Sequence, residues 1–278
     1  MSRRRNLLLG AAGGLLIAIV VACTTLSNRQ VTSQAIDSIL AGTHRSEANR
    51  ARDRYRHPKE TLLFFGIRPE MKVLEVWPEP GWYTEVLAPL LRDKGQYYAG
   101  VIPTDPASRN IGERLDNFRS KLAAEPALYG KARIVSFPSD GSDVVPPNSL
   151  DMIVTFRNIH NWMYAGNAAQ AFATMYKALK PGGVLGVEEH RGNPANPQDP
   201  KAKSGYVNED YAIRLIEAQG FKLRAKSEVN ANPADTKDYE QGVWTLPPML
   251  RLGQKDREKY LAIGESDRFT LKFEKPRK

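Results

Sequence analysis

Two histidines sit where this chain could move protons. His160 lies in the run RNIHNWMY, directly after the apolar stretch SLDMIVTF, and His190 follows Glu188 and Glu189 at the end of GVLGVEE. Imidazole changes charge near neutral pH, so either histidine could act as a base or hold a ligand. A histidine satisfied within the fold accounts for His160 equally well. Asn158, Asn161 and Trp162 flank it and form a polar–aromatic rim of the kind that borders small organic ligands. Two histidines and a carboxylate such as Glu189 can bind a metal. No close metal-ligand spacing falls within one element, however, and no metal is expected. The chain shows neither a nucleophile elbow nor paired catalytic carboxylates.

The elements that must position these residues alternate in period. MKVLEV (71–76), QYYAGVI, ARIVSF, SLDMIVTF (149–156) and GVLGVEE are apolar runs of strand length, and the fourth reads as buried on both sides. Helical periodicity separates them. Val86, Leu87, Leu90 and Leu91 mark one helix. Ile111, Leu115, Phe118 and Leu122 mark another within 107–124, and Ala168, Ala171, Phe172, Met175 and Leu179 mark a third. RNIHNW reads as a loop, and Lys180-Pro181-Gly182-Gly183 stops the helix before the fifth strand. Asn208 can cap a helix running to Gln219. Phe221, Leu223, Ala225 and Val229 alternate as a sixth strand, and Phe269, Leu271 and Phe273 as a seventh. Strands alternating with helices predict a doubly wound, mainly parallel seven-stranded α/β sheet covered on both faces.

The stretch VLEVWPEPGWYTEVLAPLL resembles the first motif of class I S-adenosylmethionine-dependent methyltransferases, in which a strand ends in an acid before a glycine-rich turn and a helix. RNIHNWMY after the fourth strand and ALKPGGVLGVEEHR at the helix-to-fifth-strand junction match in the same order. FFGIRP, SGYV, EVNANPADTKD and GVWTLPP are similar to pieces of a set of predicted exported bacterial methyltransferases. The resemblance implies S-adenosyl-L-methionine as cofactor and a small-molecule acceptor. It implies that Glu75, Trp77, Gly81, Asp140, Arg157 and Asn158 bind the cofactor, and that His160, Glu189 and His190 serve the acceptor. Arg157 is left between the cofactor carboxylate, an ion pair with Glu75 and an ordinary structural pair; Asp140 suits a turn cap before Gly141 equally well. Tyr206, Asn230, Asn232 and Trp244 are candidates for a substrate wall, Trp244 also for burial against the sheet. The chain departs from the pattern in two places. Trp77, Pro78, Glu79 and Pro80 stand where glycines are usual, and the second strand runs into Val101-Ile102-Pro103, with Asp105 the nearest acid. A non-catalytic ligand-binding lipoprotein with this fold and a degenerate cofactor turn is therefore the alternative.

Composition sets the frame. The 278 residues, 41% hydrophobic and 26% charged, suffice for one large α/β domain with its own core. Net charge is +9, three of it in Arg3, Arg4 and Arg5. The cluster Arg45, Arg50, Arg52, Arg54 and Arg56 reads as a solvated helix face. It has no interleaved aromatics of a nucleic-acid platform, and no nucleic acid is expected. The chain opens with a basic segment and an apolar run from Leu7 to Ala22, the layout of a secretory signal. Ser2-Arg3-Arg4 followed by Leu7-Leu8 resembles a twin-arginine signal, and Val20-Val21-Ala22-Cys23 resembles a lipobox around the only cysteine. The expected organisation is a signal segment at 1–23, a stalk and N-terminal helix at 24–56, and the α/β domain at 57–278. Ile36, Ile39, Leu40 and Thr43 give that helix a face to pack on the domain or cover a cleft. The expected product is an exported periplasmic lipoprotein held to the membrane through Cys23. Cys23→Ser should release the protein from the membrane fraction or leave its precursor unprocessed; unchanged processing and fractionation on a gel would contradict lipidation.

Overall fold

The computed structural model describes residues 28–103, 109–138, 140 and 142–277. The expected signal segment with Cys23, and Asp105, lie outside the described residues. Helix α1 spans 28–40, followed by the single turns α2 (Glu47–Arg50) and α3 (Asp53–Arg56) and by α4 (Pro58–Phe65). The order continues β1 (Lys72–Val76), α5 (Thr84–Leu91), β2 (Gln96–Val101), α6 (Arg109–Ala124), α7 (Pro126–Tyr129), β3 (Arg133–Ser136) and β4 (Leu150–Phe156). Then come α8 (Ile159–Ala165), α9 (Ala168–Ala178), β5 (Leu179–His190), α10 (Glu209–Glu217), β6 (Lys222–Ser227), α11 (Arg257–Ile263) and β7 (Arg268–Glu274).

The seven strands form one sheet in the order β3-β2-β1-β4-β5-β7-β6. The five strands β1 to β5 pair in parallel, and β7 runs antiparallel to both its neighbours. This is the expected mainly parallel, doubly wound sheet, with β1 and β4 adjacent at its centre. Side chains alternate between faces along each strand, and the two cores follow from that. Leu74, Val76, Ile153, Leu185 and Val187 pack with α8, α9 and α10 on one face. Val73, Met152 and Val154 pack with α1, α4, α5 and α6 on the other.

From β1 the chain winds outward to β2 and β3, and it re-enters at β4 to wind the opposite way. Such a reversal leaves a crevice beyond the carboxyl ends of the central strands. Two segments close over that crevice. One is the N-terminal arm: Ile36 is fully buried in the core with Leu62 and Phe65, so helix α1 packs on the domain. The other is the largely irregular stretch between β6 and β7, which carries a 3-10 turn at Gly242–Thr245.

Three sequence expectations need correction. RNIHNW is not a loop: Ile159, Trp162 and Met163, at helical spacing, are buried, and α8 ends at Gly166 in the left-handed region with φ 79°. Asn208 occupies the N-cap position of α10 without capping it, because its Nδ2 donates to Asn196 O at 2.8 Å. The arginine cluster is not a solvated face. Arg45 grips Asp53 through two bonds of 2.6 and 2.8 Å, and Arg45 and Arg56 are 1% and 4% exposed, while Arg50 and Arg54 do face solvent. Among the described residues no helix is long and apolar enough to cross a membrane.

Candidate functional site

Parallel strands that start on one edge end on one edge, and the ends of β1 and β4 flank a cleft of about 530 Å³. Its floor is Glu75, Val76, Trp77, Phe156, Arg157 and Asn158; α8 contributes His160 and Asn161, and His190 closes the end of β5. The N-terminal arm adds Arg52 and Arg56, and the segment before β7 adds Trp244, Glu265 and Ser266. Trp77 and Arg157, the residues just after β1 and β4, both adopt positive φ (52° and 60°). Such backbone is unfavourable for bulky side chains and is typically retained where a site needs it.

His160 is held from behind. Its Nδ1 lies 3.0 Å from Glu189 Oε1, and the carboxylate also accepts the backbone N–H groups of His160 (3.3 Å) and His190 (2.8 Å). A carboxylate only accepts, so Nδ1 carries the hydrogen and Nε2 is the nitrogen left for exchange with a ligand. Glu189 is fully buried and does not itself face the cleft, contrary to the expectation that it would line the pocket beside Glu75 and His160. Trp244 meets His160 edge-on at 6.0 Å, with Arg251 stacked on its far side at 4.4 Å. Trp244 is therefore a wall of the cleft. Tyr206, Asn230 and Asn232 are not: they bond to Asp235, to Thr61 and Thr270, and to the carbonyls of Ile263 and Glu265 respectively.

His190 lies 5.4 Å from His160, ring to ring, and its Nδ1 is 2.6 Å from Ser266 Oγ. Burial pushes its pKa well down, and repulsion from His160, Arg157, Arg268 and Arg56 adds to the effect. It is a neutral imidazole at pH 7. Residues from two elements thus supply what no single element did: His160, Glu189 and His190 bring ligand-capable atoms within 4.8 Å of one another.

At the other end of the cleft Glu75 is 3% exposed, and its Oε2 accepts from Tyr97 (2.6 Å) and Thr84 (3.0 Å). Burial raises its pKa to about 8, so it holds a proton at pH 7. Asn158 donates through Nδ2 to Val76 O at 2.9 Å and ties the ends of β1 and β4 together. Trp77 donates Nε1 to Phe137 O at 3.3 Å and packs edge-on against Trp162 at 5.4 Å, forming wall and core boundary at once. Arg157 pairs with Glu188, at 3.8 Å, rather than with Glu75.

Two expected cofactor contacts are placed differently. A Cβ on Gly81 would meet the Phe118 ring at 3.1 Å, so this glycine (φ 95°) makes room for α6 on its Cβ side. Asp140 is exposed and accepts from Ser142 N and Oγ at 2.9 and 2.6 Å; it caps a turn outside the cleft. One residue was missed. Glu79 turns from the β1–α5 connection toward the end of β2, where Ile102 N–H bonds to its carboxylate, and its Oε2 is buried in the cleft wall without a hydrogen-bond partner among the described residues. The sequence signal was an acid inside the turn itself, in a motif where glycine was expected.

No family model matches this chain, and no curated protein does. Solved structures share its fold. A SAM-dependent methyltransferase from Aquifex aeolicus is 16% identical with a TM-score of 0.54, over 81% of this chain and 93% of that one. A putative sarcosine dimethylglycine methyltransferase from Galdieria sulphuraria is 12% identical with a TM-score of 0.53, over 82% and 85% of the two chains. The [4+2]-cyclase SpnF is 16% identical with a TM-score of 0.57, over 86% of each. The fold is the one these proteins share, and the cyclase shows that it is not tied to one reaction.

The proton on Glu75 has a thermodynamic signature. An unfolded glutamate releases its proton near pH 4.5, while the folded one keeps it to about pH 8. Between those values the unfolded state binds fewer protons, so stability falls as pH rises. Urea unfolding at pH 5 and pH 8 should therefore show a larger loss in the wild type than in Glu75→Gln, which keeps an uncharged hydrogen-bonding side chain. Equal losses would contradict a buried neutral Glu75.

Proposed function

We propose that the protein transfers a methyl group from S-adenosyl-L-methionine to a small-molecule acceptor bound beside His160. The observation that carries this reading is the pairing, within one cleft, of a histidine oriented by a buried carboxylate with an unpartnered carboxylate oxygen on Glu79. The residues present suit the cofactor. Glu79, beside the end of β2, offers its free oxygen to a pair of hydroxyl groups, the task of the acid that β2 lacks. Neutral Glu75 and the backbone around Trp77 border the same space without presenting a buried negative charge.

When bound, S-adenosylmethionine supplies an electrophilic methyl group on a positively charged sulfur. Everything else falls to the protein. Displacement at a methyl carbon needs chiefly correct placement of the reactants. Trp77, Trp244 and Phe156 form apolar walls that keep bulk water from the acceptor. His160 accepts the acceptor's proton at Nε2, and Glu189 fixes its tautomer and stabilises the charge that results. Neutral His190 is a hydrogen-bond partner for the acceptor rather than an acid.

Calorimetric titration with S-adenosylmethionine and S-adenosylhomocysteine should give saturable heat for both. Absence of heat from either at millimolar concentration would defeat this reading and leave a binding protein of another kind. His160→Ala should keep the affinity for S-adenosylhomocysteine while slowing transfer about 10²–10⁴-fold on an acceptor found with methyl-labelled cofactor. Full turnover in that variant would remove the proton-accepting role alone.

A further inference from the structure

Beside His160 and His190 the cleft wall holds an unbalanced set of charges. Arg52, Arg56, Arg157 and Arg268 share two carboxylates, Glu188 and Glu265. Glu265 is saturated: Oε1 takes Arg52 Nε at 2.6 Å, and Oε2 takes Arg56 Nε at 3.0 Å with Arg268 Nη1 at 3.3 Å. Burial opposes its ionisation, but the charges of Arg56, Arg268 and Arg52 hold its pKa at about 2. Glu188 is also committed, to Arg268 Nη1 at 3.1 Å and Tyr83 Oη at 3.4 Å. Arg268 spends its remaining donors on the carbonyls of Ser266 and Tyr55.

The other three arginines are not spent. Arg52 and Arg56 bind Glu265 through Nε, and their Nη groups make no hydrogen bond among the described residues. Arg157 Nη1 is buried without a hydrogen-bond partner, since its approach to Glu188 is 3.8 Å. All three line the cleft. Four positive charges against three buried carboxylates, Glu188, Glu265 and the Glu189 behind His160, leave a surplus of one in a half-dry wall. Burial lowers the pKa of Arg52 and Arg56, and the neighbouring arginines add to it against the pull of Glu265. Nearby Asp267 gives no relief, being engaged by Arg191 and Lys237. Buried charge left unpaired is costly, and a group of opposite sign that enters the site offsets the cost.

We infer that the acceptor is an organic acid, whose carboxylate or phosphate group is taken by Arg52, Arg56 and Arg157 while its reacting atom faces His160. This rests on the methyl-transfer reading and specifies its substrate class. Guanidinium groups with free forks can give paired N–H···O bonds to two oxygens of such an anion. Trp82, Tyr83, Phe156 and Trp244 give the rest of the molecule an apolar lining. The same surplus weighs against a metal ion at His160 and His190, where Glu189 already accepts three N–H groups and a cation would sit among arginines.

The test is calorimetry with sodium benzoate as the probe and benzamide as its uncharged counterpart, on protein saturated with S-adenosylhomocysteine. Benzoate should bind at least about tenfold more tightly than benzamide, the discrimination expected of charge-assisted hydrogen bonds. Arg52→Gln and Arg157→Gln should each remove most of that preference and leave the S-adenosylhomocysteine affinity near wild type, which also certifies an intact fold. Arg52→Lys should retain more of it than Arg52→Gln. Equal binding of benzoate and benzamide would overturn the inference. So would competition between benzoate and S-adenosylhomocysteine, with Arg157→Gln weakening the latter, because the arginines would then hold the cofactor's own carboxylate. If the wild type binds no S-adenosylhomocysteine, the methyl-transfer reading falls and takes the acceptor assignment with it. Absence of the benzoate preference in the wild type, with S-adenosylhomocysteine still bound, overturns only the present inference.

Discussion

Carboxylates buried at the carboxyl ends of the strands govern how this chain closes around its cleft. Glu75 at the end of β1 and Glu188 and Glu189 at the end of β5 are 3%, 0% and 0% exposed. A buried carboxyl must be protonated or fully partnered, and these three take different routes. Glu75 takes a proton and bonds with Thr84 and Tyr97. Glu189 collects N–H groups from α8 and from its own strand. Glu188 recruits Arg268 from β7. Each solution pins a different element to the same edge of the sheet.

Those pins explain the two closing segments. Arg268 draws in Glu265, and Glu265 draws in Arg52 and Arg56, so the N-terminal arm and the stretch before β7 meet over the crevice. Arg56 also stacks on Trp82 at 4.7 Å, and Tyr83 stacks on Phe156 at 3.6 Å, so aromatic surface supports the ion network from below. The result is a cleft with two characters. A carboxyl-rich end at Glu75 and Glu79 faces an arginine- and histidine-rich end at Arg52, Arg157 and His160. A cofactor bearing hydroxyl groups and an anionic acceptor would each find hydrogen-bonding partners on its own side.

The first five strands were legible in the sequence because each is an apolar run of the right length between helical periods, and the last two because apolar residues alternate along them. Helix α8 was missed although Ile159, Trp162 and Met163 repeat at helical spacing, because the asparagines around His160 suggested a loop. Gly81 was read as room for a ligand; only the packing of Phe118 shows that α6 uses the space on its Cβ side. Glu79 was hidden by the expectation of glycine at its position. The arginine cluster looked like solvated surface since no sequence pattern reveals that Glu265, some two hundred residues on, folds against it. Convergence of distant segments at one edge is a tertiary fact, and it supplied most of the site's chemistry.

The central claim is that this cleft receives S-adenosylmethionine at its carboxyl-rich end. A crystal structure of the protein with S-adenosylhomocysteine tests it most directly. The account predicts the ligand between Glu79 and His160, with its ribose hydroxyls on the Glu79 carboxylate and Asp140 untouched. A saturated crystal with the ligand outside the cleft, or inside it with Glu79 unengaged, would contradict the account.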